Sequence, residues 1–122
     1  MLAIEKQEGD RVFVHLRGPL NADLMQAGLE DLIEAAEDLT NGTMLYVIDD
    51  FEWPTAGALA VEFKMMPDLL KLLGKFRKCA VLCDAGWIRK VAEIEGMLIP
   101  GLEIKSFVSK DREAAENWLE QA

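Results

Sequence analysis

The segment Met44–Asp50 has the sequence MLYVIDD, in which five apolar residues in an unbroken run are followed by two aspartates. A strand with one solvated face alternates apolar and polar residues, whereas a strand covered on both faces is apolar throughout. The run Met44–Ile48 therefore predicts a buried strand of a parallel sheet, and Asp49-Asp50 marks its end.

A second run of this kind, Cys79–Cys83, is followed by Asp84. Between the two runs, Thr55 is suited to cap a helix that begins at Ala56. Pro67 lies too deep in this helical segment for an uninterrupted helix, because proline lacks an amide hydrogen and clashes with the preceding turn. We expect a kink or a break there, with a second short piece ending at Gly74.

The flanking segments complete an alternation of strands and helices. Leu2–Lys6 and Arg11–Arg17 predict a hairpin around Glu8-Gly9-Asp10. The remaining predicted elements are a helix from the cap Asn21 to about Leu39, a helix opened by Asp84, Gly86 and Trp87 and ending near Glu95, a loop Gly96–Gly101, a strand Glu103–Val108, and a last helix capped by Ser109.

This order, β-β-α-β-α-β-α-β-α, predicts an α/β fold in which a five-stranded, mostly parallel sheet has an antiparallel first strand. A length of 122 residues, without repeats or a linker, predicts a single domain over residues 1–122.

Charge and composition limit the partners. Thirteen basic and twenty-two acidic side chains give a net charge of -9, which repels nucleic acids and anionic membrane surfaces. We interpret the local cluster of basic residues as the solvated face and end of a helix; it comprises Lys64, Lys71, Lys75, Arg77 and Lys78.

The sequence also predicts a cytoplasmic location. Charged residues from Glu5 onward interrupt any secretory signal, and no apolar run reaches the roughly 20 residues that span a bilayer. Cys79 and Cys83 lie four apart on one predicted strand, too far for a disulfide, and are expected to be reduced core residues.

Several stretches, taken in order, resemble the SpoIIAA-like branch of the STAS-type proteins, whose fold is shared with the lipid-binding CRAL-TRIO domains. The resemblance covers essentially the whole chain. The stretches are Asp50-Phe51-Glu52-Trp53 with Gly57-Ala58-Leu59, Ala80-Val81-Leu82 with Asp84 and Trp87, and Glu103–Phe107 with Ala115, Trp118 and Leu119.

The resemblance implies two different uses. STAS domains act as protein-binding switches controlled by phosphorylation of a hydroxyl that usually precedes a glycine at the start of the second helix. The position before Gly57 is Ala56, which has no hydroxyl, and for Thr55, one place earlier, a simple helix cap is the better interpretation. CRAL-TRIO domains instead hold an apolar ligand under a mobile helix.

Three aspartates follow the predicted buried strands, where open α/β sheets usually place ligands. Asp49 and Asp50, with Asp84 across the edge of the sheet, have the chemistry to coordinate Mg²⁺. Because exposed aspartate is common and no glycine loop for phosphate accompanies them, we favour loop solvation and helix capping, and expect no metal or cofactor.

Apolar residues after Thr55 outnumber what one buried stripe requires. The surplus is Phe63, Met65, Met66, Leu69, Leu70, Leu72 and Leu73, to which Met97-Leu98-Ile99 adds a second surface. Two interpretations stay open: a cleft for an apolar, lipid-like ligand between the second helix (from Ala56) and the third (from Gly86), or a contact with a protein partner or a second copy of the chain. The predicted lip is formed by Trp53, Thr55, Met65, Met66, Trp87 and Met97.

Catalysis is not indicated. His15 is the single histidine, and neither a nucleophile nor a carboxylate can be assigned to it from the sequence. The chain has no nucleophile elbow, P-loop, dinucleotide fingerprint or zinc motif. We therefore expect a binding or regulatory domain without catalytic residues.

Overall fold

A computed structural model describes residues 1–97 and 99–121. It contains one five-stranded sheet in the order β1-β2-β3-β4-β5, with β1 antiparallel to β2 and the other neighbours parallel. The strands are β1 (Leu2–Gln7), β2 (Arg11–Gly18), β3 (Gly42–Phe51), β4 (Phe76–Leu82) and β5 (Glu103–Phe107). The predicted α/β architecture is confirmed.

Five helices are described: α1 (Ala22–Ala35), α2 (Ala56–Lys64), α3 (Met66–Leu73), α4 (Gly86–Met97) and α5 (Arg112–Glu120), the last preceded by a short 3₁₀ helix (Ser109–Asp111). The predicted second helix is broken beside Pro67, which lies at the first positions of α3, where a missing amide hydrogen costs least. The predicted third helix is therefore α4.

The two faces of the sheet are covered unequally. Side chains alternate along β3, so Met44 contributes to the core beneath α1–α4 and Leu45 to the core beneath α5. On the α5 side, Leu45, Ala80 and Leu82 are fully buried with Leu119. One helix closes this face, whereas α1, α2, α3 and α4 share the other.

Several predicted boundaries were wrong. Helix α1 ends at Ala35 rather than near Leu39, and α4 continues to Met97 instead of ending near Glu95. Strand β3 extends to Phe51, beyond the end predicted at Asp49-Asp50. Leu98 lies outside the described residues.

Two capping and surface assignments also need correction. The side chain of Ser109 makes no cap hydrogen bond; instead its backbone N–H donates to Oδ1 of Asp84. Lys78 is not on a solvated helix face: it lies in β4 and is buried, with Nζ donating to the carbonyl oxygen of Trp118.

In the part of the chain that the structure describes, no helix is both long enough and apolar enough to cross a membrane.

Candidate functional site

A β-bulge at the end of β3 determines the direction of the residues that follow. Arg17 of β2 pairs with Asp49, but the next residue, Gly18, pairs with Phe51, so Asp50 is an extra residue. Asp50 has a φ of +43°, in the left-handed region that aspartate tolerates better than most side chains. Because of this extra residue, Phe51 packs on the side of the sheet that carries α1–α4.

Phe51 belongs to a group of three rings, which we call the aromatic triad (Phe51, Trp53 and Trp87). The ring centroids of Trp53 and Trp87 are 5.6 Å apart with nearly parallel planes, and Phe51 meets both edge-on at 5.5 and 5.7 Å. Trp53 is 71% exposed and Trp87 51% exposed. The triad thus joins the start of α2 to the start of α4 and leaves large indole surfaces in water.

Helix α2 has one flank against α1 and an opposite flank that is apolar and exposed. A Cβ at Gly57 would lie 3.4 Å from Cβ of Ala22 in α1, and Ala58 is fully buried. At 100° per residue, Leu59 and Phe63 lie on the side of α2 away from Gly57. Phe63 is 76% exposed, and Leu59 is exposed as well.

Helix α4 shows the complementary arrangement. Ile88 is buried beneath it, and Glu93 on its outer side accepts a hydrogen bond from the hydroxyl of Ser106 in β5. Val91 and Ile94 follow Trp87 by four and seven residues, so the three side chains lie on the same side of α4. Trp87 on this side stacks on Trp53, which precedes α2. Both are exposed, Ile94 by 60%.

The strand surface between these flanks is also incompletely covered. Tyr46 and Ile48 point to the same side of β3 as the buried Met44, yet both are only half-buried although β3 is the central strand. Helix α2 packs mainly against α1, and α4 mainly against β5. We call the surface between these two helices the α2–α4 cleft; we define it by Leu59, Phe63, Trp87, Val91 and Ile94 on its walls and by Tyr46 and Ile48 on its floor.

The predicted lip residues are only partly brought together. Trp53 and Trp87 stack on each other, so the gap expected between them is filled by their own rings. Oγ1 of Thr55 accepts a hydrogen bond from the backbone N–H of Ala58 at 3.1 Å, which confirms the predicted cap. Met65 and Met66 are half-buried at the α2–α3 junction, and Met97 is 85% exposed near the end of α4.

Of the predicted apolar surplus, Phe63 and Leu70 are exposed, Leu72 is buried, and the others are half-buried. Sequence reasoning missed Leu59, Val91 and Ile94 as wall residues. For Val91 and Ile94 the sequence does contain a signal. Apolar residues at positions 87, 91 and 94 form a second helical stripe beside the one that contains the buried Ile88.

The three strand-end aspartates have separate partners. Oδ2 of Asp49 is 2.8 Å from Nε2 of His15, on the α5 side of the sheet, and Oδ2 of Asp50 accepts a hydrogen bond from Nε of Arg17 at 3.2 Å. The hydrogen bonds from Ser109, the backbone one foremost, lower the pKa of Asp84, so this carboxylate stays ionised. Across residues 1–97 and 99–121, no three or more His, Cys, Asp or Glu side chains are grouped to hold a metal ion.

Two further cavities have mixed, largely charged linings. One, of about 520 Å³, lies on the outer side of α4 and is lined by Gly86, Trp87, Arg89, Lys90, Glu93 and Ser106. The other, of about 480 Å³, lies between α1 and α3 and is lined by Glu30, Ile33, Glu34, Glu37, Asp68, Lys71, Leu72 and Lys75.

The cysteines have the character of core residues. Both are buried and unpaired, and burial raises the pKa of the Cys79 thiol to about 12. A thiol with such a pKa is a poor nucleophile at neutral pH, so Cys79 has a packing role.

The sequential strand order, with one antiparallel edge strand and helices on both faces, defines a small α/β domain of the kind first suggested by the sequence. The chain belongs to the SpoIIAA-like family, which it matches over residues 11–120. No curated protein gave a match to the chain.

Two solved structures have a similar fold. An uncharacterized DUF3478-family protein with a SpoIIAA-like fold, from Shewanella loihica PV-4, superimposes with a TM-score of 0.75 at 20% identity, covering 98% of this chain and 92% of that one. The Bacillus cell fate determinant SpoIIAA, in its phosphorylated form, gives a TM-score of 0.53 at 16% identity, covering 97% and 99%.

Proposed function

We propose that this protein is a non-enzymatic, cytoplasmic binding domain that takes an apolar small molecule in the α2–α4 cleft. The observation that carries the proposal is the set of exposed apolar residues on two helices joined by the aromatic triad, Leu59 and Phe63 on α2 and Val91 and Ile94 on α4. Covering exposed apolar side chains with an apolar molecule removes their surface from water, which lowers the free energy.

The energetic scale is sufficient for binding. Burying apolar surface contributes roughly 25 cal/mol per Å², so covering about 200 Å² of cleft and an equal area of ligand supplies a gross ~10 kcal/mol. Losses of translational and rotational freedom offset a large part of this gain. The proposal therefore predicts micromolar rather than picomolar affinity for a simple aliphatic molecule.

The interaction of Thr55 argues against a phosphorylation switch in this chain. A structure of Bacillus SpoIIAA in its phosphorylated form is known, but here the residue directly before Gly57 is Ala56, and the neighbouring hydroxyl of Thr55 caps α2. Phosphorylation of Thr55 would replace this cap and add negative charge close to Asp50 and Glu52. These observations argue against phosphorylation at the start of α2 as the means of control.

Native mass spectrometry and a matched pair of variants test the proposed function. We expect protein purified from its own cells to retain a small molecule, and decanol to raise the melting temperature of the stripped protein. Ile94→Asp should abolish this stabilisation, because it places a charge on the cleft wall. Leu24→Asp is the control, since Leu24 is also an exposed apolar residue but lies on α1, outside the α2–α4 cleft. Failure of decanol to stabilise the parent protein at saturation would contradict the proposal.

A second candidate, a protein-interaction module, is favoured by apolar residues outside the cleft walls. Met97 and Leu70 are exposed, at the end of α4 and on α3. Sedimentation velocity separates the two functions: a dimer that dissociates on Met97→Asp, together with no response to decanol, would favour protein contact.

A further inference from the structure

The dipeptide Asn41-Gly42 lies between the end of α1 and the start of β3. Asn41 is exposed, whereas Gly42 is buried and is the first residue of the strand. Asparagine is a chemically labile side chain, and it deamidates most readily before glycine, because a residue without a Cβ lets its backbone nitrogen approach closely. The other asparagines, Asn21 and Asn117, are followed by alanine and tryptophan. Asn41 is therefore the asparagine with the highest intrinsic reactivity in this sequence.

Deamidation at this position requires only the chain and water. The backbone nitrogen of Gly42 loses its proton and attacks Cγ of Asn41, so that a new N–C bond forms. The side-chain nitrogen leaves as ammonia, with the proton that the backbone nitrogen lost. Water then opens the five-membered imide at one of its two carbonyls. One product has aspartate at position 41, and the other has isoaspartate, whose backbone runs through the side chain and is one carbon longer.

The fold holds the attacking nitrogen away from this reaction. The N–H of Gly42 donates to the carbonyl oxygen of Lys75 at 2.9 Å, and the N–H of Thr43 donates to that of Asp10 at 3.0 Å. The nitrogen of Gly42 has to lose its proton and turn toward Cγ of Asn41 before it can attack. Both steps are prevented while its hydrogen bond to Lys75 is intact, because the bond holds the proton and fixes the peptide plane.

Packing requires glycine at position 42. A Cβ there would lie 2.8 Å from Cδ1 of Leu39 and 3.1 Å from the carbonyl oxygen of Asp10, closer than ordinary van der Waals contact. Leu39 and Phe76, which both adjoin this position, are buried. The residue that makes Asn41 reactive is therefore the residue that the start of β3 needs, and the closed junction is what suppresses the reaction.

We infer that Asn41 is a deamidation site controlled by local opening of the start of β3, and that it reacts when the hydrogen bond from Gly42 to Lys75 breaks. Opening of a short segment requires less free energy than unfolding of the whole domain. Isoaspartate at position 41 would lengthen the backbone and keep the hydrogen bonds of Gly42 and Thr43 from re-forming together. The modification would thus mark chains in which this junction has opened, and it does not depend on the α2–α4 cleft.

Peptide mass spectrometry measures the reaction directly. The protein is kept at mildly alkaline pH, in native buffer and in guanidinium chloride, and aspartate and isoaspartate at position 41 are quantified over time after digestion. We expect Asn41 to be lost at least ~30-fold more slowly in native buffer, because the reaction then waits for a rarely populated open state. Asn21 and Asn117 should stay largely unmodified in both conditions. Equal rates for Asn41 in the two conditions, or no product in either, would overturn the inference.

Hydrogen exchange identifies the opening that admits the reaction. Exchange of the Gly42 amide also requires its hydrogen bond to Lys75 to break, so its protection factor, measured by NMR, should match the ratio of the two deamidation rates within about threefold. Fast loss of Asn41 beside a protected Gly42 amide would contradict control by this hydrogen bond.

A matched pair of variants separates local opening from unfolding of the domain. Leu39→Val removes one methylene from the side chain packed against Gly42, and should raise native deamidation and Gly42 exchange roughly two- to tenfold. Leu82→Val is the control, because it removes one methylene from the core beneath α5 and should leave both rates close to those of the parent. An equal increase in the two variants would mean that the reaction proceeds through global unfolding, and would overturn control by local opening.

Discussion

Asp50 is the residue on which the orientation of the aromatic triad depends. It is the extra residue of the bulge, and its left-handed backbone conformation redirects the chain so that Phe51 faces α2 and α4. A β-branched side chain is poorly tolerated in that region, whereas glycine adopts it freely. Its ion pair with Arg17 joins two largely exposed side chains and contributes little.

Substitutions of Asp50 should therefore separate backbone conformation from charge. Asp50→Val is expected to lower the free energy of unfolding by about 1–2 kcal/mol, the cost of a left-handed conformation for such a residue. Asp50→Gly should stay within roughly 0.5 kcal/mol of the parent, because the lost ion pair and the relieved backbone oppose each other. Urea denaturation measures both, and a similar loss in the two variants would assign the role of Asp50 to its carboxylate.

At the scale of the elements, alternation and apolar runs sufficed to predict the five strands and a mostly parallel sheet with an antiparallel first strand, because burial on one or two faces leaves a direct pattern in the sequence. The pattern failed where polar residues enter an element for tertiary reasons. Strand β4 begins at Phe76, well before the predicted Cys79, because Arg77 and Lys78 bind the end of α5. The local sequence pattern around Arg77 and Lys78 does not indicate that their partner is the end of α5, about 40 residues later in the chain.

The same limit applies to the site. The sequence predicts the tryptophans as lip residues and Phe63 as part of the apolar surplus, but which flank of α2 Phe63 occupies depends on how α2 packs against α1. Gly57 lies against Ala22 of α1 in this packing, and a lone glycine in a helix does not reveal its neighbour. Asp49 likewise contacts His15, a partner from another strand that the sequence alone did not assign.

Helix α5 is held to β4 by cations at its carboxyl end. Arg77 donates to the carbonyl oxygens of Leu119 and Gln121, and Nζ of Lys78 donates to that of Trp118 while lying 4.7 Å from its ring centroid. These bonds supply donors to carbonyl oxygens of the last turn, at the negative end of the helix dipole; that of Trp118 also accepts from the backbone N–H of Gln121.

Lys78→Met retains the length of the side chain and removes the charged donor. We expect it to lower the free energy of unfolding by about 1.5–3 kcal/mol, as for a buried hydrogen bond from a charged group. Lys71→Met, an exposed position on α3, should change it by less than ~0.5 kcal/mol. Guanidinium denaturation compares the two variants, and equal losses would mean that the Lys78 contact does not stabilise α5.

In the whole molecule, most of the large exposed apolar side chains are separated from the α5 face of the sheet and lie on the α1–α4 side, whereas the buried core occupies both faces. The α5 face is closed, with Leu45 and Leu82 packed against Leu119. The other face is covered by four helices that leave the α2–α4 cleft between them. Because Leu59, Phe63, Val91 and Ile94 bury only part of their surface, they contribute less to the stability of the fold than the core residues do.

This separation predicts a large difference between two truncations of similar chemistry. Leu82→Ala, at a side chain 1% exposed, should cost about 2–5 kcal/mol of unfolding free energy through lost burial and the cavity it leaves. Ile94→Ala, on the cleft wall, should cost less than roughly 1 kcal/mol, because most of that side chain is already in water. With decanol present the Ile94→Ala difference should grow, since the ligand adds contacts to Ile94 that only the folded state provides. Denaturation with and without decanol tests both statements, and a full core-like loss for Ile94→Ala in the absence of ligand would show that the cleft is closed in solution.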